Sequence, residues 1–274
     1  MGILSGFKCP FGGKQKRGKS DPGRFARVGW LVDTPSAGLI YGTPSRVRSE
    51  SVGSHPKSAS RCPAVIDLEA RYFQIPCPHD IHLRVERGKD GKWALVNLAG
   101  EKGGVRPNKL KSLVHMVGER EWRHPDRPML QVNAPYRFVA DEPVYITQCG
   151  PFLDYPAHAW PGLVFGGRFP VDVWPRVLMW AFEWHDPSRP LLIRRGQPWF
   201  YVTFELADPS RQVKLVEAEM TPQLRQYVSQ IDGVTNFTNR TFSLFNRAAS
   251  LRPKVLLKER QDRYASEVSL EAAE

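Results

Sequence analysis

Residues 80–98 read Asp80-Ile81-His82-Leu83-Arg84-Val85-Glu86-Arg87-Gly88-Lys89-Asp90-Gly91-Lys92-Trp93-Ala94-Leu95-Val96-Asn97-Leu98. Ile81, Leu83 and Val85 alternate with His82, Arg84 and Glu86, a period of two that puts the apolar side chains on one face of a half-buried strand. Gly88 to Lys92 carries turn chemistry, and a second apolar run follows from Trp93. The stretch predicts a β-hairpin.

The sequence on either side continues in the same character. Short apolar runs at Cys62-Pro63-Ala64-Val65-Ile66-Asp67-Leu68 and Tyr72-Phe73-Gln74-Ile75 precede the hairpin, so the regular core is expected to begin at Arg61. Residues 99–128 are polar and punctuated by Pro and Gly, with a short helix or strand near 110–117. Strand-like runs then recur at 129–132, 136–139, 144–148, 163–165, 177–184, 191–194 and 199–206. Turn sequences such as Asp186-Pro187-Ser188-Arg189-Pro190 and Arg195-Gly196-Gln197-Pro198 separate them. Short strands about ten residues apart, with no amphipathic helix between them, predict a mainly β fold: an antiparallel sandwich or barrel-like core over residues 61–219.

The ends differ from this core. Thr221-Pro222 supplies an N-cap and an N1 proline, and Leu224, Tyr227, Val228 and Ile231 recur at helical spacing before Gly233. A second helix is expected over 236–250, burying Phe237, Thr241, Leu244, Phe245 and Ala248 and stopped by Pro253. Residues 220–252 thus form a C-terminal element of two short helices, and 253–274 a flexible tail. Residues 1–60 read as a loop-rich N-terminal arm, with strand-like stretches at 27–32 and 38–41 and a Ser/Pro/Arg loop at 43–60.

Charge is unevenly placed. The chain carries +11 in all, and residues 1–61 hold eleven Lys/Arg against three Asp/Glu. The remaining 213 residues are near balance, with 28 basic and 25 acidic. The basicity therefore belongs to the arm, where Lys14, Lys16, Arg17 and Lys19 would contact a nucleic acid or an acidic protein partner. No apolar run reaches the roughly 20 residues that a membrane helix needs, and the start lacks the apolar stretch of a secretory leader. The four cysteines, Cys9, Cys62, Cys77 and Cys149, form no C-x-x-C pair. Scattered thiols without a leader imply a reduced, cytoplasmic protein with no membrane association.

Motifs fail on context. Gly13-Lys14-Gln15-Lys16-Arg17-Gly18-Lys19-Ser20 satisfies the phosphate-loop pattern, but a poor strand precedes it and Asp21-Pro22-Gly23 follows where a helix must open. Met1-Gly2-Ile3-Leu4-Ser5-Gly6 has Gly where N-myristoylation requires Ser or Thr. Cys77, His79, Asp80 and His82 are metal-ligand types, yet on a strand His79 and His82 face opposite ways and would converge only through a bend at Pro78. No metal site and no cofactor is assigned.

Asp154, His158, Asp172, His185 and Asp186 fall between aromatic runs, where a His–Asp neighbour pair could serve acid–base work. Asp before Pro is, however, an ordinary turn former, and no nucleophile elbow accompanies the group. Residues 177–184, Val-Leu-Met-Trp-Ala-Phe-Glu-Trp, are apolar on both faces apart from Glu183. A second sheet, the C-terminal helices or a partner subunit must cover them. Trp160, His158, Trp180, Trp184 and His185 are the candidate ligand-binding residues.

Cys62-Pro63-Ala64-Val65-Ile66, Cys77-Pro78-His79-Asp80, Gly150-Pro151-Phe152 with Tyr155-Pro156, Gly162-Leu163-Val164, the 180–184 tryptophan run and Arg195-Gly196-Gln197-Pro198 together resemble a bacterial and phage family known only as a domain of unknown function, over residues 62–206. That resemblance implies no activity. The order of Gly162-Leu163-Val164 and Arg195-Gly196-Gln197 is also similar to that in trimeric dUTPases and dCTP deaminases. Phe165-Gly166-Gly167-Arg168 stands where their catalytic Asp and Tyr belong, so their nucleotide chemistry is not implied. The leading expectation is a non-enzymatic β-rich accessory or assembly protein of bacterial or phage origin that self-associates through its aromatic strand. The alternatives are a nucleotide-related ligand-binding or hydrolytic β domain with its site between the 150–167 loops and the tryptophan strand, and nucleic-acid binding through the arm.

Overall fold

A computed structural model of the chain describes residues 23–48, 55, 57–100, 105, 106, 109 and 112–261. Lys14, Lys16, Arg17 and Lys19, and with them the proposed polyanion contact, lie outside the described residues. In chain order the elements are β1 (Phe25–Val32), β2 (Ser45–Arg46), α1 (Pro63–Arg71), β3 (Tyr72–Pro76), β4 (Ile81–Arg87), β5 (Trp93–Asn97), β6 (Val114–Met116) and β7 (Met129–Val139). They continue with β8 (Val144–Cys149), β9 (Gly162–Phe165), β10 (Gly167–Pro170), β11 (Val177–Trp184), β12 (Leu191–Ile193), β13 (Pro198–Leu206), β14 (Gln212–Glu217), α2 (Pro222–Ile231) and α3 (Phe245–Leu251).

The mainly β fold expected from the sequence is present, as three sheets around one core. The first has the order β14-β1-β7-β11-β9, with β6 also paired to β7. The second runs β10-β8-β13-β3-β2, and the third β12-β4-β5. Only β1 with β14 is parallel among these pairings. The hairpin forms as its alternation requires: Ile81, Leu83 and Val85 are buried, Arg87 pairs with Trp93, and Gly91 adopts φ 75° in the turn. Trp180, Phe182, Tyr136 and Phe138 of the first sheet meet Ile75, Ile146, Phe200 and Val202 of the second, and Leu83 and Ile193 of the third join the same core.

Several local expectations change, among them the strand-like stretch at 38–41, which forms a turn of 3-10 helix at Gly38–Ile40. The run from Cys62 is the helix α1, with Pro63 at its first turn, where the missing N–H costs nothing. Residues 129–132 and 136–139 form a single strand, because Pro135 falls in an irregularity of the β7–β11 ladder, between the Arg137–Val177 and Ala134–Leu178 pairs, that spares it a ladder hydrogen bond. The regular core takes in residues before Arg61, since β1 lies between β14 and β7. The segment after Pro253 is tied down as far as Glu259: Leu256 is buried, its N–H and that of Leu257 donate to Asp141 Oδ1 (2.6 and 3.1 Å), and Ala218 bridges Glu259.

At the C-terminus, α2 has the expected cap, with Leu224 N–H donating to Thr221 Oγ1 at 3.1 Å, and buries Leu224, Tyr227, Val228 and Ile231. The expected second helix is broken. Turns of 3-10 helix at Val234–Asn236 and Thr241–Leu244 precede a shorter α3, and Phe237 is 91% exposed rather than buried. Thr238, Asn239 and Arg240 interrupt the apolar period there, so no continuous face exists to bury. These helices pack on Leu31, Val139 and Trp174, against the outer face of the first sheet. Arg137, fully buried on β7, fastens them: its guanidinium donates to Asp33 Oδ2 (2.6 and 2.9 Å), to Asp232 (2.8 and 3.2 Å) and to the Pro175 carbonyl (2.5 Å).

Candidate functional site

The strand β9 is short, and two glycines place it. A Cβ on Gly162 would stand 2.0 Å from the Glu183 carbonyl oxygen, and one on Gly166 would stand 2.1 Å from the Gln148 carbonyl oxygen. Gly162 thus lets β9 close on β11, and Gly166 lets the chain pass from β9, at the edge of the first sheet, to β10, at the edge of the second. The register pairs Leu163 with Glu183 and Val164 with Phe182.

Between β8 and β9 the chain makes a loop held at three points. The Phe152 ring packs edge-on against Tyr72 (5.2 Å) and Tyr201 (5.7 Å). Asp154 caps the 3-10 turn Tyr155–Ala159, its Oδ2 accepting from Ala157 N–H at 3.2 Å. Trp160 is buried edge-on against Trp180 and Phe182, each at 6.4 Å. This loop, the end of β8 and the edge of β9 line an open cavity of about 360 Å³. Trp160, Val164, Phe152, His158, Leu163 and Cys149 are among its walls, and the lining includes no Lys or Arg. Its lining is accessible, with Phe152 42% and Leu163 41% exposed, and Tyr155, 88% exposed, lies against His158 with ring centroids 6.5 Å apart.

The polar groups near the cavity are committed elsewhere. Burial pushes the Cys149 thiol up to about 11, so it stays protonated and unreactive at neutral pH. His158 Nε2 lies 3.1 Å from the Phe152 carbonyl, which can only accept, so that nitrogen carries the proton. Burial also raises Asp154, against the opposing Ala157 hydrogen bond and His158. No nucleophile and base are brought together here.

Of the residues singled out in the sequence, His158 and Trp160 line the cavity. Trp180 lies behind Trp160 in the core, its Nε1–H donating to the Trp199 carbonyl at 3.1 Å. Trp184 is likewise fully buried, donating to the Asp186 and Arg189 carbonyls at 3.1 and 3.2 Å. Both faces of β11 are covered within the chain, with Leu178 and Glu183 buried on opposite sides. Asp172 accepts from Val144 N–H (3.5 Å), and Asp186 accepts from Ser188 N–H and its hydroxyl (3.1 and 2.5 Å), so both serve local structure. Among the described residues no three Cys, His, Asp or Glu side chains gather as a metal site. Cys77 donates to the His79 carbonyl at 3.1 Å, and both His79 ring nitrogens are buried without a partner.

His185 belongs to a separate group, on the outer face of the first sheet. Its Nε2 lies 2.9 Å from Oε1 of Glu183, whose side chain is 1% exposed. Arg123 Nε and Arg127 Nη1 approach the same carboxylate at 3.4 and 3.6 Å, and the Arg123 guanidinium sits 4.8 Å above the Phe165 ring. Sequence reasoning missed Arg123, Arg127 and Cys149; Phe152 and Leu163 lie in the 150–167 stretch it offered for the site without being named as site residues. The signal for the group was Glu183 itself, the one charge in an otherwise apolar strand.

Compared with protein-family models, with curated proteins and with solved structures, the chain finds no match in any of the three.

Proposed function

We propose that the protein is a non-enzymatic binding protein whose cavity takes the planar aromatic ring of a small ligand. The observation that carries this reading is the lining, in which Trp160, Phe152 and His158 stand together with Val164 and Leu163. Aromatic pairs of this kind gain from both apolar burial and edge-to-face geometry. A volume near 360 Å³ falls within the range of small-molecule sites. Catalysis lacks support, because the thiol stays protonated, His158 is engaged by a carbonyl and Asp154 by a cap. Inside the cavity the nucleotide-related alternative is carried by its base alone, since the lining includes no Lys or Arg. The reading is tested by thermal shift with indole and with adenosine. A saturable rise in Tm that disappears in Leu163→Trp, which fills the cavity, supports it; no rise, or one that survives Leu163→Trp, contradicts it.

The rim favours one further reading, an assembly role in which two copies meet here rather than along the tryptophan strand. Tyr155 is 88% exposed beside Phe152 and Leu153, an apolar group next to a cavity of side-chain size. Sedimentation at rising concentration tests it: association that Tyr155→Ser abolishes is expected, and a monomer throughout contradicts it.

A further inference from the structure

Leu163 belongs to two sites at once. It is one of the residues lining the cavity, and its cross-strand neighbour on the same face is Glu183. Directly opposite residues of an antiparallel pair hold their Cβ atoms about 5 Å apart. The group around Glu183 therefore begins one side chain away from the cavity mouth.

That group is basic on its exposed side. Glu183 is buried, whereas the side chains of Arg123, Arg127 and His185 are 58%, 42% and 38% exposed. One carboxylate stands against two permanent cations. Neither guanidinium makes a hydrogen bond among the described residues; each meets Glu183 only as a looser ion pair. Arg123 is steadied by the Phe165 ring, two residues along β9 from Leu163 and on the same face. Its N–H groups are oriented yet largely unspent, the arrangement that receives an acidic oxygen in bidentate fashion.

We infer that the ligand of the cavity is an aromatic acid: its ring enters beside Trp160, and its carboxylate or phosphate reaches over Leu163 to Arg123 and Arg127. This rests on the cavity being a ring site. Glu183 is the fixed counter-charge that holds the two arginines at the mouth.

The test is calorimetric titration of the full chain with indole, indole-3-acetate, indoxyl phosphate and inorganic phosphate. At least one indole acid is expected to bind about 10- to 100-fold more tightly than indole, the scale of one or two charge-assisted hydrogen bonds. The preferred acid distinguishes carboxylate from phosphate. The preference should vanish in Arg123→Gln/Arg127→Gln, with indole affinity unchanged as the check on folding. Should that variant fail to fold, the wild-type preference must still weaken with added salt while indole binding does not. Equal binding of acids and indole overturns the acidic-ligand inference and leaves the ring site standing. Absence of any indole binding overturns the ring site, and the inference with it. Inorganic phosphate binding as tightly as the indole acids shows the arginines acting apart from the cavity, which also overturns it.

Discussion

Gly162 and Glu183 touch so closely that no side chain fits between them: a Cβ on Gly162 would lie 2.0 Å from the Glu183 carbonyl oxygen. The obstacle is backbone, which cannot swing aside. Gly162→Ala is therefore expected to lift β9 from β11, to cost about 1–3 kcal/mol by overpacking, and to weaken ring binding. Gly167, five residues on, has nothing within 4 Å of its Cβ position. Gly167→Ala should leave stability within about 0.5 kcal/mol of wild type. Urea unfolding of both variants checks the contrast, and equal losses would contradict it.

Arg137 joins β7 to Asp33 after β1 and to Asp232 at the end of α2. It is 1% exposed, whereas its partners are 34% and 44% exposed. Removing either end is thus unequal. Arg137→Ala is expected to cost about 3–5 kcal/mol, the scale of a broken buried pair. Asp232→Asn keeps the shape, leaves Asp33 in place and sits near solvent, so a loss of about 1 kcal/mol is expected. Chemical denaturation of the two variants measures the order.

Glu183→Gln preserves volume but removes the charge that gathers Arg123, Arg127 and His185 over β11. Segment 117–129 crosses this face, anchored by Val117, Trp122 and Met129. A loss of about 1–3 kcal/mol is expected, with faster hydrogen exchange confined to 117–129. Uniformly faster exchange, or none, would contradict a local fastening.

Burial holds the His79 imidazole below its ordinary value of 6.5, against the pull of Asp80. The unfolded chain takes up this proton near pH 6.5, the folded chain only at lower pH. Between the two the unfolded state binds more protons, so the stability from a neutral His79 is present above pH 6.5 and is lost as pH falls towards the folded value. His79→Leu should flatten the decline in stability below pH 6.5. Parallel pH profiles for the two proteins would contradict it.

How much of this was legible varies with how local each cause is. The β4–β5 hairpin and α2 are written in short periods with their own turn and cap residues, and both form. The pairing of β1 with β14 is not, because it is parallel and joins residues such as Phe25 and Gln212, 187 positions apart (212 − 25). The helix α1 hid behind an apolar run whose Ile66 remains half exposed, although Pro63 was the sign of its start. At the site, Trp160 and His158 stood out as residue types in a loop. Cys149 and Leu163 did not, because only the close approach allowed by Gly166 brings the ends of β8 and β9 together. Glu183 was visible as a lone charge, but its arginines come from a separate Pro-rich segment that no spacing connects to β11.

The most direct measurement is a ¹⁹F NMR titration of the 5-fluorotryptophan-labelled protein with indole, following Trp160. If the cavity is the binding site, the Trp160 resonance shifts saturably, that of Trp174, packed on Phe245 beneath the C-terminal helices, stays in place, and Leu163→Trp removes the response. A Trp160 resonance that does not move to saturation, or a shift that persists in Leu163→Trp, contradicts it.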